Sequence, residues 1–169
     1  MTVFIGLLRA VNVGGTGRLP MADLVAMAQA AGFARVRTYI ASGNLVFESE
    51  RSAAEVKATL EQALARYAGK PVAVMVRSAS ELAAVLAANP FPDCAPNRTV
   101  TVFLDAPPTP DYRVGLFAPD GEEVVAGVRE LYIHYGAGMA QSRFKLPAAQ
   151  AGTARNMNTV ARLVAMSRE

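Results

Sequence analysis

Two short stretches of the sequence concentrate polar side chains that could hold an anion. The first begins with Arg9 and Asn12 and continues into a glycine-rich loop through Gly14 and Gly15. Arginine forms charge-assisted hydrogen bonds with phosphate and carboxylate groups, and glycine lets the backbone approach a ligand closely. The loop leads into a helix that we predict to begin at Pro20, and helix N-termini favour negative charge. This stretch predicts an anion cradle, although its glycines would serve equally well to turn a surface loop.

The second stretch lies near the end of the sequence and contains Arg155, Asn156 and Asn158. Arg155 comes just before a predicted helix start, where the first N–H groups favour an anion. The two asparagines are either helix caps or groups that orient a ligand. Because both ends of the chain are basic and the middle is acidic, we expect Arg155 and Arg9 to share one anion site. The alternative is an ion pair between Arg155 and an acidic side chain from the middle of the chain.

Several other chemistries lack the residues that they require. The glycine-rich loop has no Gly-Lys-Ser/Thr ending as in a P-loop, and Pro20 stands where a dinucleotide fingerprint needs its third glycine. His134 is the only histidine and Cys94 the only cysteine, so no metal site is predicted, and no motif predicts a cofactor. Ser42 lacks the Gly-x-Ser-x-Gly context of an activated nucleophile. No residue stands out as a nucleophile or general base, which leaves open whether the chain is an enzyme.

Hydrophobic patterning predicts the elements that would position these residues. In the first half, apolar runs, capped helical patterns and a tight Ser42-Gly43 turn give the order strand, helix, strand, strand, helix, strand. This is the ferredoxin-like βαββαβ pattern, for which right-handed crossovers favour the strand order 4-1-3-2. The predicted elements are a strand at 3–8, a helix between 20 and 32, strands at 35–40 and 45–47, a helix between 52 and 69, and a strand at 72–76.

The predicted topology brings the turn close to the first polar stretch. The end of strand 1 and the turn between strands 2 and 3 lie at the same edge of a βαββαβ sheet. We therefore expect a cluster in which the first polar stretch and the turn meet, made of Arg9, Asn12, Gly14, Gly15, Arg18, Ser42, Gly43 and Asn44.

The second half is also predicted to be α+β. Its elements partly repeat the order of the first half without a clear final strand, so we expect a degenerate repeat. The halves are 1–77 and 78–169, and together they could count as one domain. The predicted elements are a helix opened by Ser78 and Glu81, strands at 100–104, 124–128 and 131–135, a short helix at 111–117, a helix at 138–150 and a final helix that carries Val160.

The composition is that of a globular protein, with 52% hydrophobic residues, 18% charged residues and a formal net charge of +3. The lone cysteine cannot form an internal disulfide. No apolar run approaches the roughly 20 residues that span a membrane, and the first residues do not form a signal peptide. We therefore expect a cytoplasmic protein without a membrane partner, and the oligomeric state is not predicted.

The RNA-recognition fold shares the βαββαβ order, so its characteristic residues are compared with those of this sequence. Its third strand carries exposed aromatic side chains on which bases stack. Here residues 42–47 contain one aromatic side chain, Phe47, at a different position. We expect no sequence-specific RNA binding, although the basic ends could follow a nucleic-acid backbone.

Six stretches carry a recognisable pattern: LLRAVNVGG at 7–15, MADL at 21–24, VRTYIASGNLVF at 36–47, NPF at 89–91, ELYIHY at 130–135 and TARNMNTV at 153–160. Through them the chain resembles the bacterial family known as domain of unknown function 1697. Ala10 and Met157 depart from the family pattern, which has glycine and tryptophan there. The resemblance implies two α+β halves, the first ferredoxin-like, and no particular function. Its best-matched residues are polar residues of loops, which more often bind than pack.

Together these observations predict a binding protein for a small phosphate- or carboxylate-bearing ligand. One alternative is a nucleic-acid-associated protein that uses a basic surface, and another is an interaction module without a ligand. The candidate ligand-binding residues are Arg9, Asn12, Gly14, Gly15, Ser42, Asn44, Arg155, Asn156 and Asn158.

Overall fold

The computed structural model describes residues 1–14, 17–136 and 139–169 of the chain. Within them the backbone forms two antiparallel four-stranded sheets and four α-helices, which makes the protein α+β, as predicted. The chain divides into two compact units. The first comprises Met1–Leu82 and Leu163–Glu169, and the second comprises Ala83–Arg162. None of the helices in the described residues combines the length and the apolar character needed to span a bilayer.

The first unit contains the predicted ferredoxin-like pattern. Its elements in chain order are β1 (Thr2–Leu8), α1 (Met21–Ala30), β2 (Ala34–Thr38), β3 (Asn44–Ser49), α2 (Ala53–Ala68) and β4 (Val74–Ser78). The strands pair in the order β2-β3-β1-β4, which is the predicted order 4-1-3-2 read from the other edge. The central strand β1 pairs antiparallel with both β3 and β4. The end of β1 therefore lies beside the start of β3 and the start of β4.

Helices α1 and α2 pack against one face of this sheet. Leu24 of α1 and Leu60 of α2 are buried in one hydrophobic cluster with Leu8, Phe47 and Val74 of the strands. Side chains alternate between the two faces of a strand, so an apolar residue at every second position suffices to build this layer. This packing fixes the positions of the ends of α1 and α2 relative to the edge of the sheet.

Helix α2 begins and ends at the predicted residues. The hydroxyl of Ser52 accepts a hydrogen bond from the N–H of Glu55, and the Glu55 carboxylate accepts one from the N–H of Ser52. This reciprocal arrangement is the predicted capping box. At the other end Gly69 adopts a φ of 70°, in the left-handed region that favours glycine. The chain leaves α2 there and turns toward β4.

The turn between β2 and β3 is wider than the predicted two-residue Ser42-Gly43 connection. Residues 39–43 connect the strands, and the N–H of Gly43 donates to the carbonyl of Ile40 at 3.4 Å. Both residues have positive φ values, 90° for Gly43 and 49° for Ile40. A two-residue pattern does not anticipate this turn, because the side chain of Asn44 holds it, as shown below.

The second unit mirrors the first. The remaining elements of the chain are α3 (Ala79–Ala87), β5 (Thr99–Phe103), β6 (Glu123–Ala126), β7 (Glu130–His134), β8 (Thr153–Asn156) and α4 (Met157–Ser167). The four strands pair in the order β6-β7-β5-β8, so each strand occupies the place of its counterpart in the first sheet. The predicted repeat is confirmed, and it includes a final strand, β8, that the sequence pattern did not show. β8 is only four residues long and mostly polar, so it gives no apolar run.

Two helices predicted in the second half are wrong. Residues 111–115 form successive turns, with the N–H of Val114 donating to the carbonyl of Asp111, and Phe117 forms an isolated antiparallel bridge with Lys145. The described part of the predicted 138–150 helix forms two short 3-10 turns, Met139–Gln141 and Pro147–Ala149. Proline disfavours a helical conformation in the residue before it, and Leu146 is accordingly extended, with a φ of −144°.

Candidate anion-binding site

The end of β1 meets two loops at one edge of the first sheet. The N–H of Leu8 donates to the carbonyl of Gly43, and the N–H of Arg9 donates to the carbonyl of Ala73, each at 2.9 Å. Gly43 has no space for a side chain, because a Cβ there would lie 2.8 Å from Val11 and 2.9 Å from Leu8. The turn that contains Ser42 and Asn44 thus lies against the loop after Arg9, where the topology predicted it.

Asn12 holds the glycine-rich loop in place. Its Nδ2 donates to the carbonyls of Leu19 and Ala41, both at 2.8 Å, and its Oδ1 accepts from the N–H of Leu19 at 2.6 Å. Both amide hydrogens are used in these bonds, so Asn12 connects the two ends of the loop with the β2–β3 turn. Sequence reasoning placed Asn12 at the site as a ligand contact, and the geometry gives it a positioning role.

Asn44 has the same kind of role in the turn. It is fully buried, and its Nδ2 donates to the carbonyl of Tyr39 at 2.8 Å and to the hydroxyl of Ser42 at 3.0 Å. A buried amide must satisfy its hydrogen bonds within the protein, and these bonds fix the path of residues 39–43. Asn44 and Ser42 therefore shape the edge on which Arg9 stands.

Gly14 differs from the other glycines of the site. It is exposed, its φ is not in the left-handed region, and a Cβ built on it would meet no atom within 4 Å. The packing of the described residues therefore does not require glycine at this position, whereas a closely approaching ligand would. The other candidate glycine, Gly15, lies outside the described residues.

Backbone strain is concentrated at the same edge. Among the described residues, four that are not glycine have positive φ, and three of them are Ala10, Asn12 and Ile40, at 55°, 55° and 49°. Ile40 is the most unusual, because a β-branched residue rarely adopts this conformation and half of its surface is exposed. Each such residue costs about 1–3 kcal/mol, and strain of this kind clusters at ligand and active sites.

A cavity of about 370 Å³ opens beside Arg9. We call it the cationic cavity, because the charged side chains among its described lining residues are Arg9, Arg18 and Lys70, with no carboxylate. Its inner wall is apolar and is formed largely by buried side chains, namely Val11, Leu19, Leu64 and Val72. A basic rim over an apolar wall is suited to an organic anion.

Tyr67 completes the wall of the cationic cavity. It stands in the last turn of α2, is 46% exposed, and its hydroxyl donates to Asp23 Oδ2 of α1 at 2.6 Å. This hydrogen bond, together with the negative charge of Asp23, raises the pKa of Tyr67 above its usual value of 10. The phenol therefore stays neutral at physiological pH. Its side chain is held by the backbone of α2 at one end and by the hydrogen bond to Asp23 at the other.

A more open cleft adjoins the cationic cavity. Gly17, Arg18 and Leu19 line both, so this segment forms the wall between them. Gly14 and Pro20 line the cleft, and Pro20 caps α1 without any hydrogen bond from a side chain. The predicted proximity of the glycine-rich loop and the start of α1 is thus present in the first unit.

Arg155 lies within strand β8 of the second unit and, as predicted, just before a helix, because α4 begins at Met157. It is only 6% exposed, and its Nη1 donates to the hydroxyl of Thr153 at 2.6 Å and to the carbonyl of Ala154 at 2.9 Å. Burial lowers the pKa of Arg155 to about 10, which still leaves it charged at neutral pH. Because Arg9 and Arg155 belong to different units, a site that they share stays a prediction.

One of the two neighbouring asparagines has the predicted capping role. The Oδ1 of Asn156 accepts from the N–H of Thr159 at 3.0 Å, which is a helix cap. Asn158 is an exposed residue in the first turn of α4. The capping interpretation holds for Asn156, and a ligand contact by either residue stays a prediction.

Sequence reasoning missed three residues, one of which is Tyr67 in the cavity wall. Lys70 was overlooked, although it follows the helix-ending Gly69 and precedes the strand that pairs beside the end of β1. Arg77 of β4 was also missed. It occupies the place in the first unit that Arg155 occupies in the second, one residue before the strand ends, and it is 1% exposed. An alignment of the two halves of the sequence would have identified Arg77 as the counterpart of Arg155.

None of the described residues forms a cluster of three His, Cys, Asp or Glu side chains that could hold a metal ion. His134 instead lies 5.7 Å from Phe91, measured between ring centres, in a tilted arrangement. The chemistry that the site offers is therefore electrostatic binding by arginine and lysine, together with apolar contact.

Comparison with known proteins identifies the family. A family model described as a protein of unknown function, DUF1697, matches residues 1–132, so the chain belongs to that family. A similar solved structure is that of a conserved bacterial protein from Streptococcus pneumoniae, which is 25% identical in sequence with a TM-score of 0.80. The similarity covers 98% of each chain. No curated protein matches the chain, and these similarities support no specific function.

Proposed function

We propose that this member of the DUF1697 family binds a small phosphate- or carboxylate-bearing ligand in the cationic cavity. The observation that carries the proposal is the lining itself, in which Arg9, Arg18 and Lys70 occur without a carboxylate among the described residues. Positive side chains gathered around one cavity attract an anionic ligand and raise its local concentration. Arginine can form two parallel hydrogen bonds with a phosphate or carboxylate, which add geometric specificity as well as binding energy.

The structure around the cavity supports a ligand-binding role over the alternative that its cations are only exposed surface charges. Asn12 and Asn44 use buried or partly buried hydrogen bonds to hold two strained loops at this edge. Ordering a loop costs conformational entropy, and a site that is already ordered binds a ligand without that cost. Gly14 lines the adjoining cleft and not the cationic cavity, so the proposal does not depend on it. The cytoplasmic location stays a prediction from the sequence.

A nucleic-acid partner receives less support. The aromatic side chains of the two central strands, Phe4 and Phe47, are buried in the core of the first unit, so they are not available for stacking on bases. Nucleic-acid binding on this sheet would lack base stacking by its central strands, so it would rest mainly on phosphate contacts and would weaken steeply as salt is added.

Thermal melts test the proposal. We expect pyrophosphate to raise the melting temperature of the parent protein, and Arg18→Ala and Lys70→Ala each to reduce that increase. The matched control is Arg66→Ala, which removes an exposed cation in the last turn of α2 that does not line the cavity. This control should respond to pyrophosphate like the parent. The proposal is wrong if neither pyrophosphate nor phosphate, sulfate or citrate stabilises the parent, or if all three variants respond alike.

A further inference from the structure

We infer that the ligand of the cationic cavity is a nucleoside phosphate, with its phosphates at the basic rim and its base against the apolar wall and Tyr67. This inference rests on the proposed function and narrows the class of ligand. Four features of the lining carry it, namely its charge, its apolar wall, its single aromatic ring and its lack of other polar side chains.

The charge of the rim favours phosphate over a single carboxylate. Arg9, Arg18 and Lys70 bring three positive charges to the lining. A monocarboxylate carries a single negative charge, whereas a phosphate ester carries about −1.5 to −2 at neutral pH and a diphosphate carries more, so this basic rim attracts phosphates more strongly. A phosphate also offers three or more acceptor oxygens that can meet separate donors.

The apolar wall calls for an organic group beyond the phosphate. Among the apolar lining residues, Ala68 and Pro71 are exposed and Ala73 is partly exposed, and they lie alongside the buried Leu19, Leu64 and Val72. Inorganic phosphate would occupy the rim and leave this wall in contact with water. A ligand that also covers the wall gains affinity in proportion to the apolar area that it removes from water.

Tyr67 gives the wall a fixed aromatic surface. Its backbone is part of α2 and its hydroxyl is bonded to Asp23 of α1, so the ring is held between two helices. A ring that is already immobilised stacks on a flat base without further loss of freedom. Its hydrogen bond to Asp23 also means that the hydroxyl is already engaged and does not select among hydrogen-bonding patterns.

The rest of the lining indicates weak selectivity among bases. Apart from its three cations and Tyr67, the described lining is made of Ala, Val, Gly, Leu and Pro. Such a wall has no side-chain amide or hydroxyl with which to read the edge of a base or the hydroxyls of a free sugar. We therefore expect purine nucleotides to exceed pyrimidine nucleotides modestly through stacking area, and sugar phosphates to bind no better than pyrophosphate.

Titration calorimetry on the full chain separates the inference from the proposed function. The ligands are pyrophosphate, ADP, adenosine and hexyl phosphate, and the variants are Arg18→Ala, Tyr67→Leu and Tyr67→Phe. We expect ADP to bind the parent about tenfold more tightly than pyrophosphate, which is the range of one base stacked on one aromatic ring. Tyr67→Leu should abolish that advantage and leave pyrophosphate binding unchanged, while Tyr67→Phe should retain most of it. Arg18→Ala should weaken both phosphate ligands.

Each remaining outcome has a definite meaning. If pyrophosphate binds as tightly as ADP, or if hexyl phosphate binds more tightly than ADP, the nucleoside inference is wrong and the anion site stands. If Tyr67→Leu weakens pyrophosphate and ADP by the same factor, Tyr67 shapes the cavity and does not contact a base, which also overturns the inference. If no phosphate compound binds, the proposed function fails and the inference fails with it. A melting curve of each variant without ligand confirms that it is folded.

Discussion

At the scale of single residues, the edge at the end of β1 combines strain with hydrogen bonds that maintain it. Ala10, Asn12 and Ile40 adopt left-handed conformations. The side chain of Asn12 donates hydrogen bonds to the carbonyl of Leu19, before α1, and to the carbonyl of Ala41, in the β2–β3 turn. Strained residues persist only where their surroundings hold them. The bonds of Asn12 and the burial of Gly43 against Val11 provide that restraint.

Replacing Ala10 with glycine should stabilise the protein. Ala10 has a φ of 55°, a conformation in which the Cβ of an L-residue clashes with its own backbone and which glycine adopts without strain. We expect Ala10→Gly to raise the free energy of unfolding by about 1 kcal/mol, measured by urea denaturation. The control is Ala41→Gly, at a position without positive φ, which should lower stability by about 0.5–1 kcal/mol. Equal effects of the two substitutions would contradict the strain assigned to Ala10.

Removing the Asn12 side chain should loosen the loop. Asn12→Ala deletes three hydrogen bonds and leaves the N–H of the buried Leu19 without its acceptor. We expect a loss of about 2 kcal/mol in unfolding free energy, together with weaker binding of pyrophosphate. Asn158→Ala, at an exposed position in α4, should change stability by less than about 0.5 kcal/mol. If Asn12 only contacted ligand, its removal would weaken binding and leave stability unchanged.

At the scale of elements, the two halves place a buried arginine at the same point. Arg77 pairs opposite Ile5 of β1, and Arg155 pairs opposite Thr101 of β5, each one residue before its strand ends. The following residues, Ser78 and Asn156, cap the helices α3 and α4. Both halves therefore contain the same succession of features, namely a strand with a buried arginine, a capping residue and a helix.

Arg155→Ala should be strongly destabilising. The change removes charge-assisted hydrogen bonds to Thr153 and Ala154 and leaves a buried space where the side chain packs. We expect a loss of about 2–3 kcal/mol by thermal or urea unfolding, against less than about 0.5 kcal/mol for Arg168→Ala, an exposed arginine in the C-terminal segment. An Arg155→Ala variant as stable as the parent would refute this structural role and favour a ligand contact.

Tyr132 makes the second unit sensitive to alkaline pH. Its hydroxyl donates to the carbonyl of Val85 at 2.7 Å, and burial, with a smaller contribution from Glu130, raises its pKa from 10 to about 12. A pKa raised by folding gives stability that is complete below pH 10 and is lost as pH rises through about 12. We expect Tyr132→Phe to be about 1 kcal/mol less stable than the parent at neutral pH. This difference should shrink above pH 10, and a constant difference across the alkaline range would contradict the assignment.

Sequence patterns predicted the elements whose signals are local. The apolar run of β1 and the capping box at Ser52 depend on neighbouring residues, and both were predicted correctly. The wide β2–β3 turn was missed because it depends on the buried side chain of Asn44. β8 was missed because it is short and polar, and the 138–150 helix was predicted despite Pro147 in its interior. For the site, the proximity of Arg9 to the turn followed from topology, whereas Lys70 required the register of β1 with β4.

At the scale of the whole molecule, the same four-stranded arrangement occurs twice, and the two copies have diverged in what covers them. The first sheet carries α1 and α2, and the space at their ends beside the sheet edge becomes the cationic cavity. In the second unit, turns and 3-10 segments occupy the places of those helices. The cationic cavity thus lies in the first unit, where helices and strained loops create an ordered edge.

Amide chemical shifts of nitrogen-labelled protein during a pyrophosphate titration test the central claim most directly. We expect progressive shifts for the residues that line the cavity, in segments 9–11, 17–19, 67–68 and 70–73. We expect smaller shifts in the second unit, and loss of the response in an Arg18→Ala, Lys70→Ala double variant that remains folded. Shifts concentrated in residues 83–162, or no saturable shifts at all, would contradict an anion site in the cationic cavity.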